Sequence, residues 1–469
     1  MRALRFFLKS FYFFFNRVAR YTQSKESRNL PKKIPQITCK AIFRNCLNQK
    51  ECSRVPNPKI LPYFWIIIRK NSHIFGLNIK KSYLCIRNIK LFSMKLIHRQ
   101  LHQVIENNMF KDKAIILVGA RQVGKSTLFK QILSDKKDIL ELNCDDPEVR
   151  SLLQDANLNT VRLIVGNKKI VIIDEAQRVK GIGLTLKLIT DNIPDVQLLI
   201  SGSSSFLLQG QLNEPLTGRK FEYHLYPFST QELYNEGGLL QIKQNLESRL
   251  IYGSYPDVIN HSDNPRDILT NLSGSYMYQD LLSMEGIRKP AIIEKLLVAL
   301  ALQVGSEVSY NEVARTIGTD SKTVEKYIDL LEKCYIVFKL STFSRNLRSE
   351  LKKAKKIFFY DNGIRNSILQ NFSPIHFRDD VDALWENFII SERIKYNHYN
   401  NLHCNTYFWR TVEQQEIDYI EERDGKFELF EMKWNPKKGK ASIPSSFKSA
   451  YGECDYTVVT PENYFNYLI

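Results

Sequence analysis

Long apolar runs are absent from this sequence of 469 residues. None approaches the ~20 consecutive apolar residues that a membrane-spanning helix requires, so no transmembrane segment is expected. Cysteines are few and scattered. Four of the eight, Cys39, Cys46, Cys52 and Cys85, precede Met94, and the others, Cys144, Cys334, Cys404 and Cys454, lack the close spacing of a metal module. That argues against a disulfide framework and suits a reduced, cytoplasmic protein. Acidic residues are nearly missing from residues 1–93, which hold 20 Lys+Arg, two glutamates (Glu26 and Glu51) and no aspartate. From Met94 onward 47 basic residues face 48 acidic ones, so the net charge of +17 belongs to the first segment and not to the folded bulk. Residues 1–93 also lack clear helical periodicity, caps and a small-residue cleavage site. They fit an arm for membrane surfaces or nucleic acid, a targeting segment, or translation from upstream of the working protein. The abrupt change of composition beside Met94 favours the third. There is no internal repeat. Length and an apolar fraction of 43% leave room for two or three domains with real cores.

What is present begins with "AIILVGARQVGKSTLFKQIL". It carries the pattern G-x-x-x-x-G-K-S/T at Gly119, Gly124, Lys125 and Ser126. An apolar strand, Ala114 to Val118, precedes it, and a helix with Leu128, Phe129, Ile132 and Leu133 on one face follows. Such a loop wraps phosphate with backbone N–H groups at a helix N-terminus. Gly119, Ala120, Arg121, Gln122, Val123, Gly124 and Thr127 are therefore expected around ATP, with Lys125 adding charge and Ser126 ligating Mg2+. Further on, "KKIVIIDEAQRV" ends a second buried strand in Asp174, which suits the metal, and Glu175, which suits the attacking water. The run "VQLLISGSSSFLL" ends a third strand in Ser203 and Ser204, either sensors of the γ-phosphate or a serine loop capping the next helix. "LTGRK" offers Arg219 as a charge stabiliser acting in cis or from a neighbouring subunit of an oligomer.

Near the C-terminus, "EIDYIEERDGKFELFEMKW" centres on Asp424-Gly425, the signal of a two-residue hairpin. Counting outward opposes Arg423 to Lys426, Ile420 to Leu429, Asp418 to Glu431 and Glu416 to Lys433. The period of two puts Glu416, Asp418, Glu431 and Lys433 on one face. Opposed carboxylates repel unless something positive sits between them, so the hairpin is expected to hold a cation. Glu386, in "DALWENFIISERIKY", offers a third acid beside an apolar helical stripe of Leu384, Phe388 and Ile389.

In the middle, "EKLLVALALQVGSEVSYNEVARTIGTDSKTVEKYIDLLEKCYIVFKL" predicts three short helices and a strand. Ser309 with Glu312 predicts a capping box, Gly318 a break, and Val324, Ile328 and Leu331 a buried face. This is a helix-turn-helix with a wing, a device that either docks on DNA or packs as a lid. Its reading helix balances Lys322, Lys326 and Lys333 against Glu325, Asp329 and Glu332. "SRNLRSELKKAKKIFF" gathers Arg345, Arg348, Lys352, Lys353, Lys355 and Lys356 around Glu350, the best candidate for phosphate contact after Met94. "KIFFYDNGIRNSIL" then predicts a buried strand, a turn at Asn362-Gly363 and a helix.

Together "GARQVGKSTL", "IDEAQRV", "ISGSSSFLL", "LTGRKFEYHLYPFSTQEL" and "GSYPDVI" resemble the prokaryotic AAA-type ATPases that carry a C-terminal domain of unknown function. The similarity runs from about Met94 to the end. It implies an α/β chain: a P-loop NTPase parallel sheet flanked by helices over 94–226, a helical lid and winged-helix region over 227–345, and a nuclease-like α/β domain over 346–469. Residues 1–93 have no counterpart in that pattern. Glu386, Asp418 and Glu431-x-Lys433 resemble the acid, Asp, Glu-x-Lys constellation of restriction-endonuclease-like enzymes, with "QEID" in place of a proline-aspartate pair. There the carboxylates hold magnesium and the lysine positions or activates water. Two functions follow as expectations. One is Mg2+-dependent ATP hydrolysis coupled to a DNA-acting, nuclease-like domain. The other is a nucleotide-dependent switch or scaffold that binds a protein partner through an inactive nuclease-like fold.

Overall fold

Five strands line up first. They are β1 (Ala114–Val118), β2 (Ile139–Asn143), β3 (Ile170–Asp174), β4 (Gln197–Gly202) and β5 (Lys220–His224), in the order β2-β3-β4-β1-β5 and parallel throughout. The central strands β1 and β4 are buried at every residue, and β3 at all but its last. Continuous apolar strands of this kind belong in a parallel sheet covered on both faces. The covering helices include α1 (Lys125–Ile132) and α2 (Ile182–Asn192). The computed structural model describes residues 96–203, 216–276, 290–343, 355–411, 413–438, 442–452 and 454–469. The N-terminal extension, Ser204 and the basic residues Arg345, Arg348, Lys352 and Lys353 lie outside the described residues.

After β5 the chain enters α3 (Thr230–Gln244) and α4 (Leu246–Tyr252), then α5 (Pro290–Leu302), the short β6 (Glu307–Val308), α6 (Tyr310–Ile317), α7 (Ser321–Lys333), β7 (Val337–Thr342) and β8 (Lys355–Phe359). Val324, Ile328 and Leu331 of α7 are buried, as the periodicity predicts, and Gly318 ends α6 in a left-handed conformation. Only half of the Ser309–Glu312 box forms, with the Ser309 hydroxyl accepting from Glu312 N at 3.4 Å. A reciprocal box forms instead at Ser229 and Glu232, ahead of α3.

The C-terminal elements are α8 (Asn362–Ile368), α9 (Val381–Tyr399), β9 (Asn405–Arg410), β10 (Glu416–Arg423), β11 (Lys426–Met432), α10 (Ser445–Tyr451) and β12 (Asp455–Val459). Asn362 and Gly363 do not form a turn of their own; they open α8, whose N-cap Asp361 accepts from Gly363 N and Ile364 N. Gly363 has no room for a side chain, since a Cβ there would lie 2.2 Å from Tyr252 O. The second sheet has the order β12-β11-β10-β9-β7-β8-β6. Because β7 pairs in parallel with β9, through Ser341 with Tyr407 and Thr342 with Phe408, the sheet runs without interruption across the expected boundary at 345/346. The inner hairpin register is as counted, with Arg423 facing Lys426 and Ile420 facing Leu429; the recorded pairing ends at Tyr419 with Phe430, short of Asp418 and Glu416. Positive φ at both Asp424 and Gly425 is the geometry such a turn needs.

Trp385 anchors this second half. Fully buried in α9, it donates from Nε1 to Val459 O at 3.2 Å and packs on Trp434 and Tyr464. Trp385→Ala is expected to cost ~3–5 kcal/mol, read as a lowered urea midpoint.

Candidate functional site

The phosphate loop follows β1 directly. Gly119 must be glycine, because a Cβ would lie 2.1 Å from Leu225 O, and Gly124 turns the chain through φ 99° into α1. Lys125 is buried, and its Nζ donates to the carbonyls of Gly119 and Ala120, both at 2.9 Å. The Ser126 hydroxyl donates to Asp174 Oδ2 at 2.8 Å, and the Ser201 hydroxyl donates to Asp174 Oδ1. Hydroxyl and carboxylate oxygens are the donors that Mg2+ prefers, so this pair fits the ion the loop pattern implies.

Glu175 has a left-handed φ of 55°. Its carboxylate accepts from Gln177 Nε2, which also donates to Ser203 Oγ at 3.0 Å; Ser203 itself lies 3.4 Å from Glu175. The structure thus brings together Lys125, Ser126, Asp174, Glu175 and Ser203, and adds Gln177 and Ser201. A cavity of about 420 Å³ lies against the loop, lined by Arg121, Gln122, Val123, Gly124, Lys125, Ser126, Thr127 and Glu175 and, beyond them, by Arg99, Phe228, Asp257 and Asn260. Arg219 is elsewhere. It precedes β5 beside Ala114, at the opposite end of β1 from Gly119, and pairs with Asp191 at 2.6 Å. Five strand residues separate those ends by about 16 Å, so Arg219 does not reach the loop of its own chain.

The hairpin does hold a cation, but it is an ammonium. Lys356, from β8, is 3% exposed and places Nζ 2.6 Å from Glu416 Oε1 and 3.0 Å from Glu386 Oε1. Lys433 pairs with its strand neighbour Glu431 at 2.6 Å and not with Glu416, which instead has Lys356 and, at 3.8 Å, Arg410. Asp418 accepts from Met432 N at 2.8 Å. Burial, then Glu386 and Glu431, push the Asp418 carboxyl well above the usual range. For Glu386 burial also dominates and raises the pKa, although Lys356 opposes it. Burial works against the Lys356 charge, yet Glu386, Glu416 and Asp418 outweigh it and hold the ammonium protonated. Among the described residues no group of three or more His, Cys, Asp or Glu side chains is arranged to hold a metal ion. The set Glu386, Asp418 and Glu431 therefore does not fit the divalent ion that the sequence predicts. Lys356 belongs to the basic run that the sequence offers for phosphate contact, and nothing local in the sequence marks it as buried.

Residues 111–234 match the family model described as an AAA domain. That stretch has the P-loop NTPase fold. Beyond the AAA domain, residues 243–374 and 381–467 match two models, each described as a domain of unknown function (DUF8612 and DUF4143). An uncharacterised protein of Haemophilus influenzae is 28% identical over 294 residues, covering 56% of this chain and 71% of that protein. An uncharacterised protein of Mycobacterium tuberculosis is 26% identical over 346 residues, covering 72% and 73%. A Walker-type ATPase of Pyrococcus abyssi aligns with 15% identity and a TM-score of 0.41 over 58% of this chain and 96% of that one. No helix among the described residues is long and apolar enough to cross a membrane.

The AAA domain meets the C-terminal helix α9 through buried polar contacts. Arg99 donates to Val123 O of the phosphate loop at 3.4 Å, to Tyr226 O at 2.5 Å and to the Tyr399 hydroxyl of α9 at 3.5 Å, and it pairs with Glu232 at 3.0 Å. Tyr226 N donates to the same Tyr399 hydroxyl. The preceding residue, His398, accepts through Nε2 from His224 N at 3.3 Å, while His224 Nδ1 meets Tyr335 OH. Acceptance requires the unprotonated ring nitrogen. Burial and the neighbouring His224 push the His398 pKa down to about 4. Because the folded value lies below the unfolded value of about 6.5, this contribution to stability is complete above pH ~6.5 and is lost as pH falls toward 4. The urea midpoint should fall over that window, and His398→Asn should flatten the fall; an unchanged slope in the variant would count against the assignment.

Proposed function

We propose that this protein is an ATP-hydrolysing switch, in which nucleotide state at the phosphate loop is passed through α9 to the C-terminal domain. The observation that carries the reading is Arg99, which touches both Val123 O in the loop and Tyr399 in α9, the helix that also bears Glu386. Lys125 would meet the β- and γ-phosphates, and Ser126 and Asp174 would hold Mg2+, which supplies neutralising charge for phosphoryl transfer. Glu175, oriented by Gln177 and Ser203, is the residue for the attacking water. Gly119, Ala120, Arg121, Gln122, Val123, Gly124 and Thr127 form the cradle. Arg219 has a place in this scheme only as a group lent to a neighbouring subunit.

A DNA-acting, nuclease-like role is the second reading. Its support is a cavity of about 370 Å³ lined by Glu386, Asp418 and Lys433, and a winged-helix arrangement of α6, α7, β7 and β8. The ammonium inside the carboxylate cluster weighs against cleavage and toward binding, of DNA or of a protein partner.

Lys125→Ala should lose ATP binding, whereas Glu175→Gln should retain it and lose hydrolysis by ~100-fold or more, measured by nucleotide titration and phosphate release. Hydrolysis at the wild-type rate in Lys125→Ala would sink the reading. Tyr399→Phe should keep hydrolysis but weaken the ATP-dependent change in amide-exchange protection of α9.

A further inference from the structure

Strand β8 brings a buried ammonium to the nuclease-type residue set, and it does so under constraint. Lys356 pairs in register with Leu340 of β7 on one side and with Glu307 of β6 on the other. Pairing on both sides fixes the Lys356 backbone beside the cluster, and the side chain is 3% exposed, so its ammonium is packed among the carboxylates and is not drawn from solvent. Its Nζ lies 2.6 Å from Glu416 and 3.0 Å from Glu386, and 5.3 Å from the centre of the Phe408 ring. Those distances use the carboxylate oxygens that a hard divalent ion would need. Gly305 closes the other side: a Cβ there would come within 2.9 Å of Glu386 Oε2. The second lysine is committed as well, since Lys433 is held by Glu431 at 2.6 Å.

We propose that Lys356 is the built-in cation of this cluster, a tethered ammonium that takes the place of a divalent metal and keeps Mg2+ or Mn2+ out. The proposal deepens the switch reading at the C-terminal domain, because a site locked by its own lysine can present a surface without cutting. Ammonium and metal compete for the same oxygens. Removing the ammonium leaves Glu386, Glu416, Asp418 and Glu431 around the space it held, a set of hard oxygen donors with less positive charge to balance them. Among the described residues these carboxylates are not arranged around a metal ion as they stand, so a gained site requires them to close on the space the ammonium vacates.

Mn2+ titration of the full chain, stripped of metal and free of nucleotide, tests this. Wild type and Asp418→Asn should bind Mn2+ alike, because the cluster contributes no site. Lys356→Met should gain a Mn2+ site that disappears in Lys356→Met combined with Asp418→Asn, with affinity at least ~10-fold above wild type, as loss of a unit charge at contact distance implies. Mn2+ binding by the wild-type chain that is lost in Asp418→Asn overturns the proposal. So does a folded Lys356→Met protein that gains no site. Should Lys356→Met fail to fold, the comparison of wild type with Asp418→Asn still decides. Failure of the ATPase reading would register separately, in phosphate release by wild type with Mg2+.

Discussion

Glu392 is a carboxylate with nowhere to go. It sits in α9 at 2% exposure, where an unpaired charge is prohibitive, and four groups meet it: Thr230 through both its N–H and its hydroxyl, Lys395 at 2.6 Å, and Arg249 at 3.4 Å. Those partners come from the start of α3, from α4 and from α9 itself. Breaking such a buried cluster by removing one member costs ~3–5 kcal/mol. The knot fixes α9 against the segment that leaves the parallel sheet, and the rest of the arrangement inherits its position from that contact. Glu386, Trp385, His398 and Tyr399 all lie on the same rigid helix.

A second buried pair sits along that helix. Arg393 makes a two-pronged contact with Glu421 of β10, at 2.9 and 2.6 Å, and Asn397 donates to the same carboxylate. Its neighbours hold the Glu421 pKa low: burial opposes the charge, but Arg393 and Arg423 outweigh it. Helix α9 is therefore clamped on one flank by Glu392 and on the other by Glu421. Any movement of such an element would be a shift of the whole helix, since a partial slide would break one clamp or the other.

How much of this was legible depended on the range of the interaction. The phosphate loop could be read from residues 114–133, because strand, glycines, lysine and helix are contiguous and each has a local cause. The hairpin register could be read from two residues, Asp424 and Gly425, and the count outward held as far as Tyr419 with Phe430. Asp174 and Ser203, from two further strands, did come to the site; what failed were the distant partners of the hairpin and of Arg219. The expected cation is Lys356, which sits in another strand and inside the basic run offered for phosphate contact. Glu416 and Lys433, opposed in that count, each found a different partner. Arg219 stood near the loop in motif order, yet parallel pairing carried it to the far end of the sheet. Arg99, the contact between loop and α9, carries no sequence signal at all. Its role depends on a Tyr226 carbonyl, a Val123 carbonyl and a Tyr399 hydroxyl meeting in space.

The parallel pairing of β7 with β9 has a consequence for how this chain can be divided. Two residue pairs, Ser341 with Tyr407 and Thr342 with Phe408, weld the strand after α7 to the first strand after α9. A protein cut between them would present two raw strand edges, each a template for pairing with another chain. Fragments ending or starting near residue 345 would therefore tend to associate or to swap strands, whatever the quality of their separate cores. The middle and C-terminal regions share one sheet, so separating them at that point costs the pairing of β7 with β9.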